Sequence, residues 1–173
     1  MEVFDLYDAQ RQPTGKTMTR GTRTPDGFYR LVVHVCIFNS QGQMLIQQRQ
    51  PFKEGWSNLW DITAGGSVIC GETSQQGAHR ELWEELGLDV DFSSTVPAFT
   101  VSFQGGFDDI YILNAEPEIA ALRLQEEEVQ AAAWADKTQI LAMIDRKDFI
   151  PYSKAFIEYL FFRRDHSGNF DSD

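Results

Sequence analysis

Cysteine is scarce in this chain: Cys36 and Cys70 are the two thiols among 173 residues. Two cysteines build no disulfide framework, and with no Cys/His cluster beside them they make zinc a poor candidate. Both are expected to be buried free thiols in a reducing compartment. Basic residues are also few, 15 against 26 acidic ones, for a formal net charge of −11. That balance argues against a nucleic-acid polymer as partner, since such proteins carry a basic stripe. A small anionic ligand remains compatible with it where a cation or a few local arginines offset the field. No apolar run approaches the length of a membrane span, and the opening MEVFDLYDAQ has no basic region followed by an apolar one, so no signal peptide is read. Repeats, linkers and low-complexity tracts are missing too. What is present is 42% hydrophobic and 13% aromatic residues, enough to pack a core. The expectation is a single cytoplasmic domain over 1–173, with a strand-and-turn extension over 1–27 and a loose tail over 166–173.

Taken in order, residues 2–7 read as a strand, 8–15 as a turn and 16–20 as a second strand. Arg20, Arg23 and Arg30 flank a Gly/Thr/Pro loop, either as solvated surface or as binders of phosphate. Residues 28–38 (FYRLVVHVCIF) form the most convincing strand, expected to be central and buried on both faces, with His34 as a satisfied core histidine. Residues 43–50 return as its hairpin partner. A short strand over 59–64 delivers the chain to Gly65-Gly66. Two strands, 96–103 and 107–113, join at Gln104-Gly105-Gly106, and 129–134 is a further strand. Residues 136–145 and 151–164 read as helices, the second with Phe156, Ile157, Leu160 and Phe161 as its apolar face. This order gives a mixed sheet between helices.

The chemistry concentrates in Gly66 to Leu88, GSVICGETSQQGAHRELWEELGL. Thr73 and Gln76 have the spacing of a capping box, and Gly87 followed by Leu88 fits a helix end, so a helix is expected over about 74–86. At 100° per residue Glu81, Glu84 and Glu85 share one face of it. Like charges three and four residues apart cost about 0.2–0.5 kcal/mol per pair, so this face is either solvated or holds a cation. Glu72 brings a further carboxylate from the preceding loop. Oxygen ligands from two directions suit a hard divalent ion that also binds phosphate. Arg80 is an ordinary helix ion pair, an orienter of a neighbouring glutamate, or both. With no evident nucleophilic triad, this set points to attack by water on phosphorus.

Gly66, five residues, Glu72, seven residues, then Arg80-Glu81-Leu82-Trp83-Glu84-Glu85-Leu86-Gly87-Leu88 resembles the Nudix box with no position missing. The resemblance implies an α/β/α sandwich with a mixed β-sheet, in which the box forms a loop–helix–loop metal site. It implies a Nudix hydrolase, cutting a nucleoside diphosphate linked to another moiety with Mg2+ or Mn2+. Glu81, Glu84 and Glu85 would be metal ligands, Glu72 would anchor the loop or assist the metal, and Gly66 would let the backbone turn beside the site. A further acid from outside the box often completes such sites or acts as base. Glu127 and Glu128 are where this chain can supply it, unless 126–128 is only a solvated run, and Asp108 and Asp109 are weaker candidates. Arg80 and Glu128 therefore join the three helix glutamates as candidate catalytic residues. Arg30, Arg49, Gly65 and Gly66 are candidate substrate-binding residues, and Phe28, Trp56 and Phe107 are aromatic candidates for specificity. The N-terminal part and the WDITAGG approach resemble the Nudix subgroup related to isopentenyl-diphosphate isomerase. That isomerase needs a cysteine where this chain has Gly65, which disfavours isomerase chemistry as the alternative. A catalytically silent nucleotide-binding module is a third reading. The N-terminal strands are candidates for pairing across a homodimer.

Overall fold

The strand over Arg30–Phe38 (β3) is the spine of the molecule. Four of its nine residues lie in an unbroken buried run at the C-terminal end, while the first five alternate between buried and partly exposed. The computed structural model describes residues 2–166 and Gly168, so the expected loose tail falls almost wholly outside the described residues. Two strands, Val3–Tyr7 (β1) and Pro13–Thr19 (β2), pair antiparallel as a separate two-stranded sheet. The main sheet has seven strands. Besides β3 these are Met44–Arg49 (β4), Trp60–Asp61 (β5), Ala64–Ser67 (β6), Phe99–Phe103 (β7), Gly106–Asn114 (β8) and Val129–Ala135 (β9). β3 runs parallel to β8 along its whole length, and β7 closes that side antiparallel to β8.

On its other side β3 forks. Its first half pairs antiparallel with β6 and its last residue with the start of β4, which then pairs with β9 and β5. The expected hairpin between β3 and β4 is thus a single register pair, Phe38 with Met44. The strand expected over 59–64 is divided into β5 and β6 around Ile62 and Thr63. The buried Thr63 hydroxyl explains why: it accepts from the Ile37 N–H (2.9 Å) and donates to the Leu45 carbonyl (2.6 Å). It therefore satisfies backbone groups of β3 and β4 where the two strands diverge.

Helices cover both faces. Ser74–Leu86 (α1) buries Ala78, Leu82 and Leu86 against Leu31, Val33, Val35 and Tyr111. Lys137–Asp145 (α2) and Lys154–Asp165 (α3) cover the other face, where Ile140, Ile157 and Leu160 pack on Cys36, Phe38, Ile46 and Ile110. Burying each such side chain contributes about 1.5–3 kcal/mol. α3 starts three residues later than expected because Ser153 caps it, its Oγ accepting from the Phe156 N–H at 3.2 Å. Asp136 and Gln139 form a second capping box at α2. Among the described residues no helix is long and apolar enough to cross a membrane. Of the thiols, Cys36 is buried as expected, but Cys70 is exposed. Cys70 lies in the loop before α1, where its Sγ sits 3.1 Å from Asp5.

α1 is bounded by local chemistry at both ends. Thr73 and Gln76 make both bonds of the capping box, and Gly87 (φ 69°) ends the helix with its N–H on the Trp83 carbonyl. Thr73→Ala is expected to lower stability by about 1 kcal/mol, read as a shift in urea midpoint with unchanged slope.

Candidate active site

Two glycines let the sheet approach its neighbours closely. Gly65 and Gly66 oppose His34 and Val33 across the β3–β6 ladder, so their missing side chains fall on opposite faces of β6. A Cβ on Gly66 would overlap the carboxyl of Glu81, and one on Gly65 would overlap the imidazole of His34. β6 has no strand on its outer side. The Gly65 N–H instead donates to Glu85 Oε2 at 3.3 Å, and Gln47 Nε2 donates to the same oxygen at 2.8 Å. Gly66→Ala is accordingly expected to displace Glu81 and cut kcat by about tenfold or more, with the urea midpoint little moved.

Arg80 organises the other carboxylates. Its Nε and Nη2 reach Glu72 (2.8 and 3.1 Å), and its Nη1 reaches Glu81 (2.9 Å) and Glu84 (3.2 Å). Nη2 also donates to the Ser67 carbonyl at 3.0 Å, and Glu72 Oε2 accepts from the Ile69 N–H at 3.1 Å. Glu72 thus closes the loop onto the helix. These bonds raise the Arg80 pKa despite partial burial. Burial pushes Glu81 upward, and Arg80 only partly opposes this. Glu85, 5% exposed, lies well above the usual carboxylate range because burial dominates, and nearby Glu81 and Asp61 add to it.

These groups line one cleft of about 130 Å³, together with Gly65, Gly66, Glu128, Gln125, Glu2, Arg20, Arg49 and Lys53. Glu128 arrives from the opposite wall and pairs with Lys53. Arg49 lies 4.0 Å from Asp61, and its buried Nε has no hydrogen-bond partner among the described residues. A larger, more open depression of about 940 Å³ lies at the outer side of the α1 N-terminus, and of the candidate residues it reaches only Glu72 and Arg80. We place the site on the carboxylate side.

Of the residues singled out by sequence, the cleft lining contains Arg80, Glu81, Glu84, Glu85, Glu128, Arg49, Gly65 and Gly66. Glu72 stands behind it, through Arg80. Arg30 lies outside the lining: its Nη1 donates to Ser67 Oγ at 2.5 Å, and its guanidinium lies 6.0 Å from Phe4 and 5.7 Å from Phe103. Arg20 lines the cleft, whereas Arg23 pairs with Asp26. Phe107 stacks on Tyr29, Phe28 sits under Lys16, and Trp56 is exposed. Asp109 is held by Arg11, Thr100 and Ser74, and Asp108 by His34. Sequence reasoning missed Gln47, Lys53, Gln125 and the His34–Asp108 pair. None had a local signal, because their partners lie 38 to 75 residues away in the chain.

The NUDIX domain model matches residues 28–160. An uncharacterized Nudix hydrolase of Listeria monocytogenes is 47% identical over 161 residues, covering 93% of this chain and 94% of that protein. An isopentenyl-diphosphate Delta-isomerase of Shigella flexneri is 26% identical, covering 81% of this chain and 80% of its own. Among solved structures, a Deinococcus radiodurans protein superposes with a TM-score of 0.76 at 24% identity, over 92% of this chain and 99% of that one. The chain belongs to the Nudix hydrolase family, whose members act on diphosphate bonds.

Proposed function

We propose that this protein is a divalent-metal-dependent pyrophosphohydrolase that cuts a nucleoside diphosphate linked to another moiety, by attack of water on phosphorus. One observation carries the reading: a single cleft gathers four glutamates with Arg20, Arg49 and Lys53 at the free edge of β6. The donor chemistry fits a hard cation. Arg80 is one positive charge shared by Glu72, Glu81 and Glu84, and Glu85 is buried beside them with no cation of its own. Among the described residues no three acidic, histidine or cysteine side chains form a ready-made cage. Magnesium suits such a site, since it keeps several waters and takes phosphate oxygens as ligands.

Glu81, Glu84 and Glu85 would hold the metal, Mg2+ or Mn2+, which when bound would polarise the phosphoryl oxygens and lower the pKa of a coordinated water. The remaining roles belong to the chain itself. Arg20, Arg49 and Lys53 offset phosphate charge from the cleft walls. Gln47 and the Gly65 N–H fix the Glu85 carboxylate, and Arg80 fixes Glu81. Glu128 faces the helix glutamates from the opposite wall, where it can take a proton from the attacking water. Isomerase chemistry has no thiol here: Gly65 presents bare backbone to His34, Cys36 is sealed in the core, and Cys70 sits on Asp5.

A panel of nucleotide sugars, dinucleoside polyphosphates and prenyl diphosphates, assayed with magnesium, manganese or chelator, tests the reading. Release of two phosphate-bearing products from a nucleoside diphosphate derivative, abolished by chelator, is the expected result. Isomerisation of isopentenyl diphosphate without cleavage would contradict it.

A further inference from the structure

The sheet face opposite α1 is only half covered. On β3, Cys36 and Phe38 are sealed beneath α3, but Arg30, Val32 and His34 on the same face stay partly exposed. Register extends this opening sideways. Val32 lies beside Asp108 of β8, Asp108 opposes Val101 of β7, and Gly106 opposes Phe103. Residues directly opposite in a ladder share a face, and Val101 and Phe103 are each 39% exposed. The result is a strip whose two ends are anchored by charged groups. At one end His34 Nδ1 lies 2.8 Å from Asp108, which fixes the ring, while Nε2 makes no hydrogen bond among the described residues and faces Gly65. At the other end Ser67 holds Arg30 beside the Phe103 ring. Four residues along β3 separate these ends by about 13 Å.

We propose that this strip binds the nucleoside half of the substrate. The inference rests on the hydrolytic reading above for the position of the diphosphate, in the cleft at the outer edge of β6. β6 is one strand wide, so a ligand whose phosphates meet Gly65 and Gly66 from the cleft side has about 5 Å to cross to reach His34. The chemistry of the strip selects among the moieties a diphosphate can carry. An alkyl or prenyl chain laid over His34 and Asp108 would strip water from both without replacing its hydrogen bonds, which is costly. A nucleoside offers N–H and O–H groups to His34 Nε2 and a flat ring to the exposed face of Phe103. Val32 and Val101 supply the apolar floor between.

Calorimetric titration in magnesium with ADP, geranyl diphosphate and inorganic pyrophosphate tests this independently of turnover. The protein, His34→Ala and Phe103→Ala are compared, with Gly65→Ala as a variant that keeps the imidazole but pushes it aside. ADP is expected to bind more tightly than geranyl diphosphate, and each substitution to weaken ADP by about tenfold. Affinity for pyrophosphate and geranyl diphosphate should stay unchanged. Phe103 is exposed, so its replacement reports even where a His34 variant folds poorly. Geranyl diphosphate binding as tightly as ADP, or Phe103→Ala weakening all three probes alike or none, would overturn the proposal. The expected binding pattern without phosphate release from any nucleoside diphosphate derivative would overturn the hydrolytic reading and still support the strip.

Discussion

Glu85→Gln is expected to lower diphosphate turnover by a factor on the order of 10²–10⁴ while leaving the protein folded. The two effects separate because Glu85 occupies an unusual position. It is 5% exposed, and its carboxylate is held by Gln47 and the Gly65 N–H with no basic side chain bonded to it. Keeping a charge there is costly, as its raised pKa records. Glutamine keeps the shape and removes the charge. Folding therefore loses little or gains, while a metal bound in the cleft loses its most deeply placed anionic ligand. The measurements are kcat with saturating magnesium and the thermal midpoint of the same preparation. Full activity in the variant would remove Glu85 from the metal site.

Asp109→Ala is expected to cost about 3–4 kcal/mol of stability. Asp109 is 1% exposed and receives four bonds: two from Arg11 (3.0 and 2.8 Å), one from Thr100 (2.6 Å) and one from Ser74 (2.7 Å). These join the turn of the N-terminal hairpin, strand β7 and the first residue of α1 to β8. The Arg11 side chain is 37% exposed, so water recovers part of what it loses, and the figure stands at the low end for a broken buried pair. Burial alone would raise the Asp109 pKa, but Arg11, Thr100 and Ser74 outweigh it and leave it lowered. The carboxylate's contribution is therefore complete above the unfolded value near 3.9 and disappears as pH falls through the lower folded-state value. Urea unfolding of the protein and the variant at neutral pH and near pH 3 should show the gap narrowing on acidification. A gap under about 1 kcal/mol at neutral pH would mean that the pair holds the hairpin only weakly.

α1 was legible in the sequence because its determinants are local. Thr73, Gln76 and Gly87 fix the ends, and Ala78, Leu82 and Leu86 fix the buried side, all within fifteen residues. The same holds for the approximate positions of β3, β4, β7 and β8, where β-branched runs alternate with turn residues. What was not legible depends on partners far along the chain. β3 was expected to be buried on both faces, yet its first half is open on one side because α3 ends its cover at Cys36. The division of 59–64 into two strands follows from Thr63 bridging β3 and β4, which no local pattern shows. The glycines at 65 and 66 read as a loop start, but they lie within β6, where they admit the imidazole of His34 on one face and the Glu81 carboxyl on the other. Spacing within the box brings the helix glutamates to one face. It says nothing of Gln47, Lys53 or Glu128, which β4 and the segments flanking it and β9 carry to the same cleft.

Hydrolysis in water enriched in oxygen-18 tests the central claim most directly. With magnesium and a nucleoside diphosphate derivative that the protein cleaves, mass spectrometry should find one labelled oxygen on a phosphate group of one product and none on the organic moiety. That is the signature of water attacking phosphorus. Label on carbon, or a rearranged product carrying no label, would contradict the account.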